Sequence, residues 1–170
     1  HKPKKELLEK MDKIDFKEKV LFKKETPFHD LYVVETDFGR FLKYGDTYQA
    51  GFINSSTYKG NLPYINYFLI PTLINPEIKS VLLVGLGSGI ILGQFEKILK
   101  SLKKIDVVDI EEYIFPVAEK YFDFRLGKIL KENSSFYLQD ALIYLKETKK
   151  KYDLIIVDVA GNEGIDERFT

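Results

Sequence analysis

The sequence predicts an α/β fold: a doubly wound parallel sheet preceded by a small antiparallel β domain. Three observations carry this. Strand-like apolar runs alternate with helical patterns between Val81 and Asp158. The first run enters its helix through a glycine turn, Gly85-Leu86-Gly87-Ser88-Gly89. Residues 20–52 have another texture, β-branched and aromatic, broken by Thr-Pro, Asp-Phe-Gly and Tyr-Gly-Asp.

Composition narrows the class. With 170 residues and 45% hydrophobic content, the chain can bury one good core and a small satellite domain. Its 26 basic and 26 acidic side chains cancel, so neither nucleic acid nor a membrane surface is expected as a partner. The lysine clusters at residues 2–5 and 149–151 read as solvated faces or loop ends. Absence of cysteine excludes disulfides, cysteine nucleophiles and thiolate metal sites. The two histidines are His1 and His29, which all but excludes a histidine metal site or a Ser-His-Asp triad, and no metal ligands are assigned. No apolar run has the length of a membrane span and no signal-peptide pattern is present, so the cytoplasm is the default location. The first residue, His1, is left out of functional reasoning.

Taken in order, residues 4–19 space Leu7, Leu8, Met11, Ile14 and Phe16 as an amphipathic helix would. Residues 31–35, 39–43 and 48–52 read as strands joined by hairpin turns. The polar segment 54–60 marks a boundary, giving an N-terminal helix and β-strand domain over 1–60 and a nucleoside-binding domain over 61–170. Residues 62–74 are almost wholly apolar and too long for a strand, so a buried helix interrupted near Pro71 is expected. A strand at 81–84, a helix at 90–99 and a strand ending in Asp109 form a β-α-β unit. A helix at 111–121, a strand at Ser135–Leu138, a helix at 141–149 and a strand at 153–157 follow. Continuous apolar strands imply a parallel sheet covered on both faces. Such sheets usually continue beyond four strands, so the 61–170 domain is expected to be C-terminally incomplete.

The glycine turn has a physical purpose. A strand that turns straight into a helix crowds its backbone, which glycine tolerates, and bare backbone lets a ligand approach the unpaired N–H groups of the helix start. Asp109 lies 20 residues beyond Gly89, where a carboxylate accepts both hydroxyls of a ribose. The place of a third dinucleotide glycine holds Ile90, so the loop suits a nucleoside without pyrophosphate better than NAD.

Asp109, Asp140 and Asp158 each end a strand on the carboxyl edge of the sheet, where ligands bind. Singly, each is as well explained as a helix N-cap or turn residue. Together they make a cleft of negative potential suited to a sulfonium nucleoside or a protonated amine.

Asp37-Phe38-Gly39-Arg40, Tyr48-Gln49, the 81–89 loop, Val107-Val108-Asp109-Ile110-Glu111, Asp140-Ala141 and the run from Tyr152 to Asp158 occur in that order. Over roughly residues 28–170 this pattern resembles the spermidine synthase (polyamine aminopropyltransferase) family. The resemblance implies a β-strand domain followed by a Rossmann-like domain of the methyltransferase type. It also implies transfer of the aminopropyl group of decarboxylated S-adenosylmethionine to an amine, with methylthioadenosine released. It assigns Gly85, Gly87, Ser88 and Gly89 to the nucleoside loop and Asp109, with Ile110 beside it, to the ribose. Asp140 and Ala141 would receive the adenine, Gln49 would lie near the nucleoside, and Asp158 matches the catalytic aspartate. The β domain of the family often mediates oligomers, which implies a homo-oligomer.

Three positions depart from the family pattern. Ser88 stands where the loop usually carries an aspartate that holds the donor's amino group. Asp158-Val159-Ala160-Gly161 lacks the second carboxylate of Asp-x-x-Asp, and the place of Tyr-His-Glu is held by about Pro63-Tyr64-Ile65. All three losses fall on the amine side. The first reading is an aminopropyltransferase-like enzyme; the second is an S-adenosylmethionine-dependent methyltransferase on the same scaffold, and the third a catalytically inactive nucleoside-binding module.

Overall fold

A computed structural model describes residues 17–54, 59–61, 63–122, 132–161 and 164–165. Strands β1 (Lys19–Glu25), β2 (Asp30–Thr36), β3 (Gly39–Tyr44), β4 (Thr47–Asn54) and β5 (Lys59–Asn61) form an antiparallel sheet in sequential order. Alternation explains its main face: Leu31, Val33, Leu42 and Ala50 are buried, and Val34 is buried on the opposite face.

The three strands expected here are present, each extended by one to three residues. Two strands were not foreseen. Lys19, expected to close an amphipathic helix, instead opens β1, which pairs with β2 through an irregularity between Val20 and Phe22. Val20, Leu21 and Phe22 open the β-branched and aromatic texture, so the strand begins where the helical spacing was expected to end. The rest of that expected helix, residues 4–16, lies outside the described residues. The unforeseen β5 is a three-residue partner for the end of β4.

The apolar stretch after it differs from expectation in two ways. A 3-10 helix over Pro63–Leu69 passes directly into a short helix, α1 (Ile70–Ile74). Pro71 lies in the first turn of α1, where its missing N–H leaves no intrahelical bond unmade, so it begins the helix and does not interrupt it. Nor is the stretch buried. Ile65 and Thr72 point inward, but Tyr67, Leu73 and Ile74 are 68%, 82% and 81% exposed. Apolar composition permits burial without saying what covers the surface.

The second sheet is parallel, in the order β8-β7-β6-β9. It is built from β6 (Ser80–Val84), α2 (Ile90–Ile98), β7 (Lys104–Asp109), α3 (Ile114–Tyr121), β8 (Ser135–Leu138), α4 (Ala141–Glu147) and β9 (Leu154–Val157). The last elements among the described residues are a minimal antiparallel pair, β10 (Ala160–Gly161) and β11 (Gly164–Ile165). One face of the parallel sheet packs Leu83 and Ile105 against Phe95 and Val117 of the helices, and Leu31, Leu42 and Ala50 of the antiparallel sheet join the same core. The other face packs Leu82, Val84 and Val108 against Tyr144 of α4. Ile155 and Val157 of β9 remain exposed, so the expected cover on both faces is partial among the described residues.

Helix α3 begins at Ile114, three residues later than expected, because Glu111 folds back to accept a hydrogen bond from the Tyr113 N–H. At the other end of the sheet, Asp153 precedes β9, its carboxylate accepting from the N–H groups of Lys79 and Ser80.

The chain runs from β6 outward through β7 to β8, then returns to place β9 on the opposite side of β6. That reversal makes a topological switch point beyond the carboxyl ends of β6 and β9, the usual crevice for a ligand in such sheets. The glycine turn and Asp158 flank it.

Candidate active site

The turn after β6 requires its glycines. Gly85, Gly87 and Gly89 have φ values of 88°, 54° and 73°, in the left-handed region that L side chains rarely occupy. Gly89 caps the start of α2 in that conformation. Gly85 is doubly constrained, because a β-carbon there would stand 2.1 Å from the Asp158 carbonyl oxygen. Its N–H donates to the Val108 carbonyl at 2.8 Å, and the Asp158 N–H donates to that of Val84 at 2.8 Å. The ends of β6, β7 and β9 are thereby tied together.

Asp109 lies under the turn. Its Oδ2 accepts from the Leu86 N–H at 2.7 Å and its Oδ1 from the Glu111 N–H at 2.9 Å. At 8% exposure the carboxyl has its pKa raised by burial, against which the backbone N–H donors of Leu86 and Glu111 act. An ionised carboxylate has about four acceptor positions, so these backbone bonds leave capacity for a further donor. Ile110, half-buried, continues the chain beside it, and Ser88 is buried within the turn.

Asp158 is pushed up to about 6, first by burial and then by the negative charge of Asp109. Such a carboxylate is mostly ionised at neutral pH yet is a better proton acceptor than an exposed aspartate.

Asp140 sits farther along the same edge, where the Gln139 N–H donates to the Asp109 carbonyl at 3.0 Å. It is the N-cap of α4: Oδ1 accepts from the N–H groups of Leu142 at 2.8 Å and Ile143 at 3.3 Å. Ala141 opens that helix and packs on the second core cluster. Gln49 comes from the antiparallel sheet, half-buried on β4, with its carbonyl accepting the Tyr64 hydroxyl at 2.8 Å. The next residue, Ala50, is the nearest neighbour a β-carbon on Gly87 would meet, at 3.8 Å. The antiparallel sheet therefore closes one side of the turn.

Three further residues gather here that sequence reasoning gave no role. Glu111, 1% exposed, accepts the Thr26 hydroxyl at 2.6 Å, so the β1–β2 turn is fastened to the parallel sheet. Tyr44, at the end of β3, stacks on His29 with ring centroids 4.3 Å apart and planes 6° from parallel. Burial, then the charges of Asp109, Glu111 and Asp158, hold the Tyr44 hydroxyl well above its usual pKa, and burial and Asp158 raise that of Tyr64. A signal existed for Glu111, an acidic residue two places after Asp109 at the end of an apolar strand. None existed for Thr26 or Tyr44, which reach the site only through tertiary packing.

Among the described residues no group of three or more metal-ligating side chains is assembled, and no helix is long and apolar enough to cross a membrane.

Comparison with known proteins agrees with this geometry. A family model described as the spermine/spermidine synthase domain matches residues 68–170. A polyamine aminopropyltransferase of Saccharolobus solfataricus is 35% identical over 144 residues, 84% of this chain and 46% of that protein. One from Clostridium botulinum is 29% identical over 140 residues, 81% of this chain and 47% of its own length. The chain thus spans about half the length of the curated relatives it matches. In structure, spermidine synthase from Thermotoga maritima superposes with a TM-score of 0.65 at 18% identity, over 82% of this chain and 46% of that one. A spermidine synthase in complex with the transition-state analogue AdoDATO superposes with a TM-score of 0.68 at 17% identity, over 85% and 48%. These likenesses show the Rossmann-like fold. The matched domain begins within the 3-10 helix and includes the glycine turn and all three edge aspartates: the chain belongs to the spermine/spermidine synthase domain family.

Proposed function

We propose that this chain forms the donor-binding half of an aminopropyltransferase, which takes decarboxylated S-adenosylmethionine as co-substrate and passes its aminopropyl group to a small amine. The observation that carries the reading is the pairing of Asp158 with the glycine turn. The Asp158 backbone packs against Gly85, so a residue whose carboxyl is raised to about 6 is anchored at the switch point where a nucleoside would place its reactive end.

The residues fit the donor. The turn offers backbone with no side chain at Gly85, Gly87 and Gly89, and Asp109 retains acceptor capacity for ribose hydroxyls. Gln49 borders the nucleoside from β4, and Asp140 with Ala141 supplies the adenine end, although one Asp140 oxygen also caps α4. The negative charges of Asp109 and Asp158 on this edge favour a sulfonium over a neutral or anionic ligand.

In the reaction, the uncharged nitrogen of the acceptor attacks the carbon next to the sulfonium. The C–N bond forms as the C–S bond breaks, and the departing electron pair neutralises sulfur to give methylthioadenosine. The proton released by the new ammonium passes to the Asp158 carboxylate. Positioning supplies most of the acceleration, because the leaving group is already activated by its charge. Ser88 stands where the family carries a carboxylate for the donor's amino group, and Gly161 where it carries one for the diamine, so the acceptor differs from that of a standard diamine-using member.

The test is a product assay. Purified protein incubated with decarboxylated S-adenosylmethionine and a panel of small amines should release methylthioadenosine together with an amine heavier by one aminopropyl group. Release of S-adenosylhomocysteine from S-adenosylmethionine instead would establish the methyltransferase reading.

A further inference from the structure

We infer that Glu111 is a positioning residue of the nucleoside site: clasped by Thr26 from the antiparallel sheet, it holds its own N–H on Asp109 and so fixes how that carboxylate meets the ribose. The inference rests on the nucleoside reading above and concerns how the site is held, not what it binds.

Asp109 is gripped at both oxygens. The glycine turn holds one, through the Leu86 N–H at 2.7 Å from Oδ2, and Glu111 holds the other, through its N–H at 2.9 Å from Oδ1. Donors on opposite oxygens fix the rotation of a carboxylate, and with one of them removed the group can turn about its Cβ–Cγ bond. The Leu86 side is secured by the sheet, because the preceding residue, Gly85, is tied to Val108 and packed on Asp158. The other side is not. Strand β7 ends at Asp109, so no ladder bond reaches Glu111. Its carbonyl accepts the Ile114 N–H at 3.1 Å, and its side chain does the rest.

That side chain is 1% exposed, with Oε1 accepting the Tyr113 N–H at 3.2 Å and Oε2 the Thr26 hydroxyl at 2.6 Å. Thr26 stands in a turn that is itself closed. Its N–H donates to the His29 carbonyl at 3.0 Å, and its Oγ1 accepts from the N–H groups of His29 at 3.1 Å and Phe28 at 3.3 Å. The His29 ring stacks on Tyr44 of β3, 4.3 Å away, which anchors the turn to its sheet. With its oxygen so occupied, the Thr26 hydroxyl has only its proton to give. Two acceptors are in reach, Glu111 at 2.6 Å and the His29 carbonyl at 2.9 Å, and the closer, charged one makes the stronger bond.

Two hydrogen bonds thus lead from the β1–β2 turn to the carboxylate assigned to the ribose. The consequence is a distinction between ligands. A clasp that served only the fold would, when cut, weaken every ligand of the site alike. One that sets the angle of Asp109 weakens only ligands whose ribose hydroxyls use its remaining lone pairs.

The experiment is isothermal titration of wild-type protein, Thr26→Val, Thr26→Ser and Glu111→Met with two probes, methylthioadenosine and its dideoxy analogue, which lacks both ribose hydroxyls. Wild type should bind methylthioadenosine tighter than the analogue by about tenfold or more. Thr26→Val and Glu111→Met should cut that preference by about threefold or more, with the dideoxy analogue changed by less than about twofold. Thr26→Ser restores the donor and should keep the wild-type preference. Thr26→Val leaves the Glu111 side chain in place, so it carries the test should Glu111→Met fail to fold. Equal weakening of both probes, an unchanged preference, or no preference in wild type overturns the role of Glu111 and leaves the nucleoside reading standing. Failure of wild-type protein to bind methylthioadenosine removes that reading, and this inference with it.

Discussion

Gly85 and Asp158 touch backbone to backbone: a β-carbon on Gly85 would stand 2.1 Å from the Asp158 carbonyl oxygen, at a φ of 88°. The turn proposed to hold the nucleoside and the residue proposed to take the proton are therefore set by one contact. Gly85→Ala meets both the left-handed strain and the clash, so it should lower unfolding stability by about 2 kcal/mol or more. Urea denaturation checks this, and an unchanged midpoint would mean that the two strand ends are not fastened as described.

Asp158 gives a prediction in pH. With a folded pKa near 6, an essential carboxylate should produce an acid limb in kcat/KM with an apparent pKa close to that value. Asp158→Asn should abolish turnover and leave methylthioadenosine binding nearly intact. The stability effect has a definite sign. The folded pKa lies above the ordinary 3.8, so between about 4 and 6 the folded state binds more protons and loses stability as pH rises. Asp158→Asn should thus raise the thermal midpoint at pH 7.5 relative to wild type, and the gain should vanish near pH 4.

Thr26 and Glu111, 85 residues apart, join the two sheets through a 2.6 Å hydrogen bond. Thr26→Val keeps the shape and removes the donor, leaving a 1% exposed carboxylate with one partner fewer. The expected cost is about 1–3 kcal/mol, the range for stripping a buried charged acceptor of a bond. Chemical denaturation measures it, and a loss below about 0.5 kcal/mol would show that the clasp is incidental.

On the other side of the sheet, the fully buried Asp106 accepts from the Tyr152 hydroxyl at 2.6 Å and pairs with Lys104 at 2.9 Å and Lys150 at 3.1 Å. Burial pushes its pKa up, but the bonds from Tyr152, Lys104 and Lys150 outweigh it and hold the carboxyl below the usual range. A depressed pKa contributes stability that is present above the unfolded value and lost as pH falls through the folded one. Tyr152→Phe should therefore move acid unfolding, followed by circular dichroism, to higher pH.

The sequence showed the β-α-β core because its signals are local. The glycines of the turn demand positive φ, and residues 81–84 of β6 are apolar and buried on both faces. Asp109, Asp140 and Asp158 were visible as strand-ending acids, and the structure places all three on one edge. Their surroundings were not visible. That Asp140 caps α4 and that Asp109 is held by Leu86 are facts of geometry which a one-letter pattern leaves open. Pro71 was misread because a proline inside an apolar run looks the same whether it breaks a helix or begins one. Tyr44 was illegible because its partners, His29, Asp109 and Asp158, come from three distant segments.

The central claim, a site for a sulfonium nucleoside that carries an aminopropyl tail, is tested most directly by calorimetric competition between decarboxylated S-adenosylmethionine and S-adenosylmethionine. These ligands differ by one carboxylate, and the sheet edge that would receive it already carries Asp109 and Asp158, the charge of the first raising the pKa of the second. The account predicts that the decarboxylated form binds tighter, by about tenfold or more, since a like charge beside carboxylates costs over about 1 kcal/mol. Tighter binding of the carboxylated form would contradict it.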